Sequence, residues 1–117
     1  MSAEYNKGVV LRGMQDSLAA LSQIGGDLSI AQIRVLIYVM RRGRVTGTDI
    51  MNSLGLTRPT TSRIVAALSN EQIGRRQDEP LDFVRIVPDP VDRRVKHIEL
   101  TENGRMMAAR IVDLFQE

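Results

Sequence analysis

The first hydrophobic pattern of the chain is helical. Leu11, Met14, Leu18 and Leu21 recur at intervals of three or four residues, which predicts one apolar stripe on a helix over residues 3–24. Two consecutive glycines at positions 25 and 26 then interrupt the pattern. Because the stripe contains only apolar side chains, this helix is expected to bury it against another helix or another subunit.

A second helix is predicted after the glycines. Ser29 and Gln32 have the spacing of a capping box, and apolar residues follow at helical spacing as far as Met40. Two arginines and Gly43 then provide the cations and the glycine that favour a helix C-terminus. Val45 is expected to form a very short strand.

Two short helices over residues 46–70 predict a helix-turn-helix. Thr46 and Asp49 form a second capping box, and Gly55 provides a tight turn after the first short helix. Thr57 is a good N-cap for the next helix, and Pro59 lies in its first turn, where the missing N–H costs nothing. This second helix is predicted to run to about residue 70.

Two apolar-rich runs with β-branched residues lie within residues 83–100 and flank a segment from Pro88 to Arg94, which predicts a β-hairpin with a charged tip. Thr101 is expected to cap a last helix over residues 102–116. The predicted fold is a single domain over residues 1–117, mainly α with a small β-hairpin wing (α+β), a winged helix-turn-helix.

The helix after Thr57 has one small, polar face. At 100° per residue, Ile64, Val65 and Leu68 cluster with Thr61 on the inner side, while Ser62 and its neighbours face outward. A small polar face with arginines at its start suits the major groove of DNA, because arginine reads guanine and hydroxyls reach bases or phosphates. A solvated amphipathic face without a partner is the alternative. The predicted contact set comprises Arg58, Pro59, Thr60, Thr61, Ser62 and Arg63.

The tip of the predicted hairpin carries Arg93 and Arg94 beside Asp92. An arginine on a projecting ribbon can enter the narrow, electronegative minor groove, and Asp92 could hold one arginine by a charged hydrogen bond. A solubilising charged turn is the alternative. Taken together with the helix, the hairpin favours a protein that binds two adjacent grooves of duplex DNA.

Composition agrees with a binder of duplexes. Fourteen of the 16 basic residues are arginines, although the net charge is only +2. Aromatic residues make up 3% of the chain, and binders of single strands usually need aromatic stacking platforms. The absence of cysteine excludes disulfides and thiolate metal sites. The sequence has neither an apolar run long enough to span a membrane nor a signal-peptide pattern, so we expect a cytoplasmic protein.

These motifs resemble the MarR family of transcriptional regulators. The similarity lies in the run from Leu54 to Arg63, in Asp89-Pro90-Val91-Asp92-Arg93-Arg94, and in the Leu-Thr-x-x-Gly that begins at Leu100. It extends over about residues 29–110. The resemblance implies a homodimer that binds a roughly palindromic operator, with recognition helices in major grooves and wings in minor grooves. It also implies a repressor that releases DNA when a small-molecule effector binds near the dimerisation helices.

The chain departs from the family in two places. Residues 74–82 form an insertion before the first wing strand, where Arg75 and Arg76 either add phosphate contacts or belong to a solvated loop. The chain also stops at Glu117, without the further C-terminal helix that usually builds the dimer interface. Dimerisation is therefore expected to rest on helices 3–24 and 102–116, and the alternative is a monomer in which both stripes pack inward.

No enzyme activity, cofactor or metal is expected. His97 is the only histidine, lies in a predicted wing strand and has no evident catalytic partner in the sequence. The acidic residues Asp78, Glu79 and Asp82 are expected to be a solvated loop. Two other functions remain open: a winged-helix protein-interaction module without DNA binding, and a sensor of small molecules.

Overall fold

The computed structural model describes residues 6–25, 28–69 and 82–116, with the side chains of residues 24 and 25 excepted. Residues 3–5, Gly26, the predicted end of the recognition helix at residue 70 and most of the 74–82 insertion, including Arg75 and Arg76, lie outside this part. The described elements are α1 (Lys7–Gly25), α2 (Ile30–Arg42), β1 (Arg44–Thr46), α3 (Gly47–Leu54), α4 (Arg58–Leu68), β2 (Val84–Pro88), β3 (Lys96–Leu100) and α5 (Glu102–Asp113).

Side-chain caps fix where the helices begin. The Ser29 hydroxyl accepts from the Gln32 amide at 3.1 Å, and the Gln32 side chain accepts from the Ser29 amide at 2.8 Å. The same reciprocal pair joins Thr46 and Asp49 at the start of α3. Because the first amides of a helix have no partner within the helix, these side chains satisfy donors that would otherwise be unpaired. Both predicted capping boxes are confirmed.

The three strands form an antiparallel sheet in the order β1-β3-β2. Val45, Ile98 and Ile86 are paired across the strands, and the first two are buried, so this face of the sheet points toward the helices. The opposite face, which we call the outer face, has Glu99 between two arginines. Within the described residues, five helices and this sheet confirm the predicted class, mainly α with a hairpin wing. The sequence analysis did not predict that Val45 belongs to the same sheet as the hairpin.

Helix α2 lies in the centre of the core. Val35, Leu36 and Val39 are fully buried on it, and α4 contributes Ile64, Val65 and Leu68. Phe83, predicted as the first residue of a strand, instead precedes β2 and is fully buried in the core. Helix α4 is therefore anchored by apolar side chains on its inner side.

The start of α5 is joined closely to the base of the hairpin. The Thr101 amide donates to the carbonyl oxygen of Phe83 at 3.0 Å, and its hydroxyl donates to the carbonyl oxygen of Asp82 at 2.6 Å. Gly104 packs so closely that a Cβ there would overlap the Phe83 carbonyl oxygen. The Leu-Thr-x-x-Gly motif thus allows the start of α5 to pack directly against the residues that precede β2.

Helix α1 buries a different face from the predicted stripe. Leu21 is buried, but Leu11, Met14 and Leu18 remain about half exposed, at 54%, 52% and 50%. Smaller residues, among them Gly13, Ser17 and Ala20, face inward instead. The Phe115 ring lies where a Cβ of Gly13 would be, so the end of α5 packs on α1 within one chain. Among the described residues, no helix combines the length and apolarity that a membrane span requires.

Candidate nucleic-acid interface

Helix α4 presents a small polar surface to solvent. Thr57 caps it by accepting from the Thr60 amide at 3.3 Å, and Pro59 lies in the first turn as predicted. Arg58, Ser62 and Arg63 are exposed. Within the described part of the chain, Arg58 makes no hydrogen bond or ion pair, so its guanidinium is available to a ligand.

Hydroxyl contacts organise the outer side of the first turn of α4. The Thr57 hydroxyl donates to the Thr60 hydroxyl oxygen at 3.0 Å, and one Arg63 amino group approaches the same oxygen at 3.5 Å. The latter contact is at the limit for a hydrogen bond and leaves the other Arg63 donors unused. Thr60 therefore supports Arg63 from the side without fixing it.

Thr61 is the most buried member of the predicted contact set. Its exposed fraction is only 4%, and its hydroxyl is buried without a partner in the described residues. The helical phase already assigned it to the inner side, beside Ile64 and Val65. Thr61 still lines the cavity beside α4 together with Arg58 and Ser62, so its place in the predicted contact set stays a prediction.

Two carboxylates organise the wing tip, which we define as residues 89–95. One oxygen of Asp89 accepts from the backbone amides of Val91 and Asp92, both at 2.9 Å, which closes the turn after Pro90. The Asp89 amide donates to the Val95 carbonyl oxygen at 2.9 Å. The hydrogen bonds of the Asp89 carboxylate with the Asp92 backbone amide, the His97 ring and the Val91 backbone amide lower the pKa of Asp89 to about 2.

Asp92 holds Arg94 as predicted. Its carboxylate accepts from the Arg94 side chain at 3.1 and 3.2 Å and from the Arg94 amide at 3.0 Å. These contacts, the side-chain bond first, lower the pKa of Asp92. Arg93 is exposed, and within the described residues it has no such partner. The tip therefore has one oriented arginine and one free arginine.

His97 has a partner that the sequence analysis did not find. Its Nε2 lies 2.9 Å from the second carboxylate oxygen of Asp89, across the hairpin. Among the described residues, no serine or threonine hydrogen-bonds to His97. The sequence analysis named no partner for His97, and the structure places its ring beside Asp89.

A groove of about 590 Å³ separates the outer side of α4 from the wing. Arg58 and Ser62 line one wall, and Arg94 and Lys96 line the other. Thr46, Gly47 and Thr48 at the start of α3 and Thr61 of α4 also line the groove. Its apolar lining comprises Met51, Val65, Ile86, Val95 and Ile98. None of the described residues that line the groove is acidic, so its walls attract anions.

Lys96 was missed as a candidate site residue, although the sequence contained a signal for it. Alternate residues of a strand share a face, so Lys96 lies on the same side of the wing as Arg94 and Ile98. The Asp89–His97 pair had a weaker signal, because its two members come together only once the register of the hairpin is known. Among the described residues, no group of three or more potential metal ligands comes together.

Three solved structures illustrate the similarity of the fold. An Escherichia coli MarR mutant complexed with operator DNA has a TM-score of 0.59 and 18% identity, with 92% of this chain and 71% of that chain covered. The adhesin competence repressor of Streptococcus pyogenes gives 0.57 and 20%, with 89% and 69% covered. Bordetella bronchiseptica BpsR, described with regulation of its DNA binding by 6-hydroxynicotinic acid, gives 0.58 and 22%, with 92% and 75% covered.

Sequence comparison is consistent with the fold. A search among curated proteins gives no match. The model of the MarR family matches residues 26–95, which include α2, the helix-turn-helix, β2 and the whole wing tip. The matched segment is more than half of the chain and contains both walls of the groove apart from Lys96. The chain therefore belongs to the MarR family of winged helix-turn-helix transcriptional regulators.

Proposed function

We propose that this protein is a repressor that binds specific sequences of double-stranded DNA as a homodimer. The observation that carries the proposal is the acid-free groove between α4 and the wing, with cationic side chains on both walls. Phosphate neutralisation by such side chains supplies most of the sequence-independent affinity of DNA-binding proteins. Base contacts from the exposed side of α4 then supply specificity.

Helix α4 has the shape and chemistry for the major groove. Its exposed side combines Arg58 and Arg63 with the small residues Pro59, Thr60 and Ser62, which allow close approach to base edges. Arginine binds the O6 and N7 acceptors of guanine with two parallel hydrogen bonds. The positive end of the helix dipole also lies at Arg58 and favours a phosphate.

The wing is proposed to enter the minor groove. Arg93 and Arg94 are exposed at its tip, and Asp92 holds Arg94 in one orientation. An arginine that is oriented before binding loses less conformational entropy when it contacts DNA. Minor-groove contacts distinguish bases poorly, so the wing should contribute affinity more than sequence preference.

A homodimer is proposed from the unpaired apolar surface of α1 and α5. Leu11, Met14 and Leu18 are about half exposed, and Met106 and Val112 on α5 are 64% and 57% exposed. A second copy would cover these side chains and remove apolar area from water. A two-fold dimer would present two α4 helices to half-sites about 34–36 Å apart, which requires a nearly palindromic operator.

The proposal also includes repression and control by a small-molecule effector. Family membership and the repressor similar in fold support a repressor. A second cavity of about 420 Å³, lined by Leu18, isoleucines of α2 and the cations Arg34 and Arg41, suits an apolar organic anion. Arg34 also donates to the Leu54 carbonyl oxygen at 3.3 Å, so an occupant that attracts Arg34 would disturb the turn before α4. The regulation of BpsR by 6-hydroxynicotinic acid, which is an organic acid, supports a ligand of this class.

The proposal is tested by measuring duplex binding over a range of salt concentrations. Fluorescence anisotropy with genomic DNA fragments should give affinities that fall steeply with salt, because bound cations release counterions. Arg58→Ala should weaken binding, whereas Arg12→Ala, which removes the same charge from the exposed side of α1, should not. Binding that ignores salt, or no binding, would favour the alternative of a protein-interaction module.

The dimer is tested by the mass of the protein in solution. Leu18→Glu places a charge in the exposed stripe and should convert a dimer to a monomer, while Arg12→Glu on the same helix should not. Light scattering measures the mass of both variants. A wild-type mass equal to one chain at micromolar concentration would contradict the dimer.

A further inference from the structure

We propose that Tyr38 is a positioning residue for DNA recognition, because its hydroxyl holds the end of α3 from which the chain continues into α4. The proposal rests on the DNA binding proposed above, and it assigns a role to residues outside the groove. Tyr38 acts through Ser53 on α3 and is supported by Arg42 on α2. These three side chains are called the Tyr38 tie below.

Helix α3 has few apolar anchors. Within it, Ile50 is the only buried residue and Leu54 is partly buried against the core, whereas four residues of α4 are buried. At its N-terminal end, α3 is joined to the sheet, because its N-cap Thr46 belongs to β1. Apolar packing is not directional, so it does not by itself fix the orientation of so short a helix. The position of the other end of α3 therefore depends on polar contacts.

Helix α2 provides these contacts at the last two residues of α3. The Tyr38 hydroxyl lies 3.0 Å from the Ser53 hydroxyl, and an amino group of Arg34 donates to the Leu54 carbonyl oxygen at 3.3 Å. Carbonyls in the last turn of a helix have no partner within the helix, and a cation there is favourable. Since α4 begins at Arg58, soon after Leu54, these contacts act close to the exposed residues of α4.

The Tyr38 side chain is itself held in one orientation. Its exposed fraction is 6%, and its ring belongs to the core. The guanidinium carbon of Arg42 lies 5.7 Å from the ring centroid, and an Arg42 amino group donates to the Tyr38 hydroxyl oxygen at 3.2 Å. Because arginine only donates, the tyrosine oxygen accepts there, and its proton remains available for the Ser53 oxygen. A donor fixed in this way restricts both the distance and the direction of its partner.

Base contacts from α4 require such accuracy. Hydrogen bonds weaken steeply when their angles are poor, so a displaced Arg63 would read a guanine less well. Phosphate contacts are electrostatic and carry no sequence information, so they tolerate a small displacement. One neutral hydrogen bond changes an equilibrium between an aligned and a displaced helix by about two- to tenfold. Loss of the Tyr38 tie should therefore weaken binding to a preferred sequence more than binding to a random one.

The fold should tolerate the loss of the tie. Ser53 and Arg42 are exposed, so water can replace the tyrosine hydroxyl as their partner, and Tyr38→Phe keeps the buried ring. A substitution that leaves no buried polar group unpaired avoids the main cost of a lost hydrogen bond. A change in DNA specificity without a comparable change in unfolding thus distinguishes a positioning role from a purely structural one.

The first experiment needs no DNA. In the nitrogen-labelled full chain, Tyr38→Phe and Ser53→Ala should shift the amide resonances of residues 60–63 in the same pattern, because both variants break the same hydrogen bond. Asn52→Ala removes the exposed side chain next to Ser53 and should leave those resonances in place. Shifts confined to α2 and α3 in both variants would overturn the positioning role, whatever the protein binds.

The second experiment compares binding to two duplexes. One is selected by the wild type from a random-sequence pool, and the other has a random sequence. Fluorescence anisotropy gives the ratio of the two affinities. Tyr38→Phe and Ser53→Ala should each lower this ratio by about two- to tenfold, with urea unfolding midpoints close to that of the wild type. Ser53→Thr, which keeps the hydroxyl, and Asn52→Ala should retain the wild-type ratio.

The double variant with Tyr38→Phe and Ser53→Ala decides whether the two residues act through one contact. Its ratio should equal that of the more affected single variant, because the same bond can be lost only once. Additive losses, an unchanged ratio in either single variant, or an equal loss of affinity for both duplexes would overturn the proposal. If the wild type selects no duplex, the proposed function is rejected, and the resonance experiment alone decides whether Tyr38 positions α4.

Discussion

The two parts of the proposed DNA-binding surface are held in place by different forces. Helix α4 is anchored from behind by buried apolar residues such as Ile64, Val65 and Leu68. The wing tip has no apolar anchor of this kind among the described residues; Val91 is 92% exposed, and the turn depends on hydrogen bonds to Asp89 and Asp92. Substitutions behind α4 should therefore destabilise the whole domain, whereas substitutions in the tip should alter binding and leave the fold intact.

The largest expected effect is on stability, from a cavity behind α4. Leu68 is fully buried, so Leu68→Ala should lower the free energy of unfolding by about 2–5 kcal/mol. Val91→Ala at the exposed tip should change it by less than about 0.5 kcal/mol. Urea unfolding followed by circular dichroism measures both values. Similar losses in the two variants would remove the distinction between an apolar anchor and a polar one.

The next effect is on specificity, from the outer side of α4. Arg63→Ala should weaken operator binding by about 1–3 kcal/mol and relax base preference at one position, because Arg63 is exposed with most of its donors unused. Gel shifts with the operator and single-base variants measure the change. Arg12→Ala is the matched loss of charge on α1 and should leave both affinity and preference unaltered.

A smaller effect is expected from the wing arginines. Arg93→Ala and Arg94→Ala should each weaken binding by similar factors on all sequences, and each should reduce the salt slope by about 1. Asp92→Asn should have the same effect as Arg94→Ala but weaker, since it frees the arginine without removing it. Anisotropy titrations on operator and random duplexes provide the comparison. A wing variant that changed base preference would show that the tip reads bases directly.

The smallest expected effect is the response of the wing tip to low pH. Because the pKa of Asp89 is lowered from 3.8 to about 2, its contribution to the order of the tip is fully present above 3.8 and is lost as pH falls through about 2. The amide resonances of Val91 and Asp92 should therefore keep their positions through mildly acidic conditions. Amides of α4 provide the internal control. A transition of the tip at the ordinary pKa of an aspartate would show that the turn does not hold the carboxylate ionised.

The sequence predicted the parts of the fold that depend on neighbouring residues. Residues two or three positions apart form the cap between Ser29 and Gln32 and the hydrogen bond that Arg94 donates to Asp92. Residue types and their spacing were therefore sufficient to predict these contacts. The position of the helix-turn-helix followed from Thr46, Gly55 and Thr57 for the same reason.

Contacts between residues far apart in the sequence were harder to predict. The first helix turned its smaller residues inward because Phe115, about 100 positions away, packs at Gly13. Asp89 meets His97 only through the register of the hairpin. Thr61 was included among the contact residues because hydroxyls suit DNA, although its helical phase already indicated burial. For Gly13 with Phe115 and for Asp89 with His97, the deciding information was the packing partner, which local spacing does not contain.

The close junction at Gly104 has a mechanical consequence. Thr101 hydrogen-bonds to the backbone at residues 82 and 83, and Gly104 has no side chain that would separate the helix from the strand. Helix α5 and the base of the hairpin should therefore move together as one rigid unit. A tilt of α5 would be transmitted to the far end of the ribbon instead of being absorbed at a hinge. If the proposed homodimer forms through α5, the angle between its two subunits would set the distance between their two hairpins.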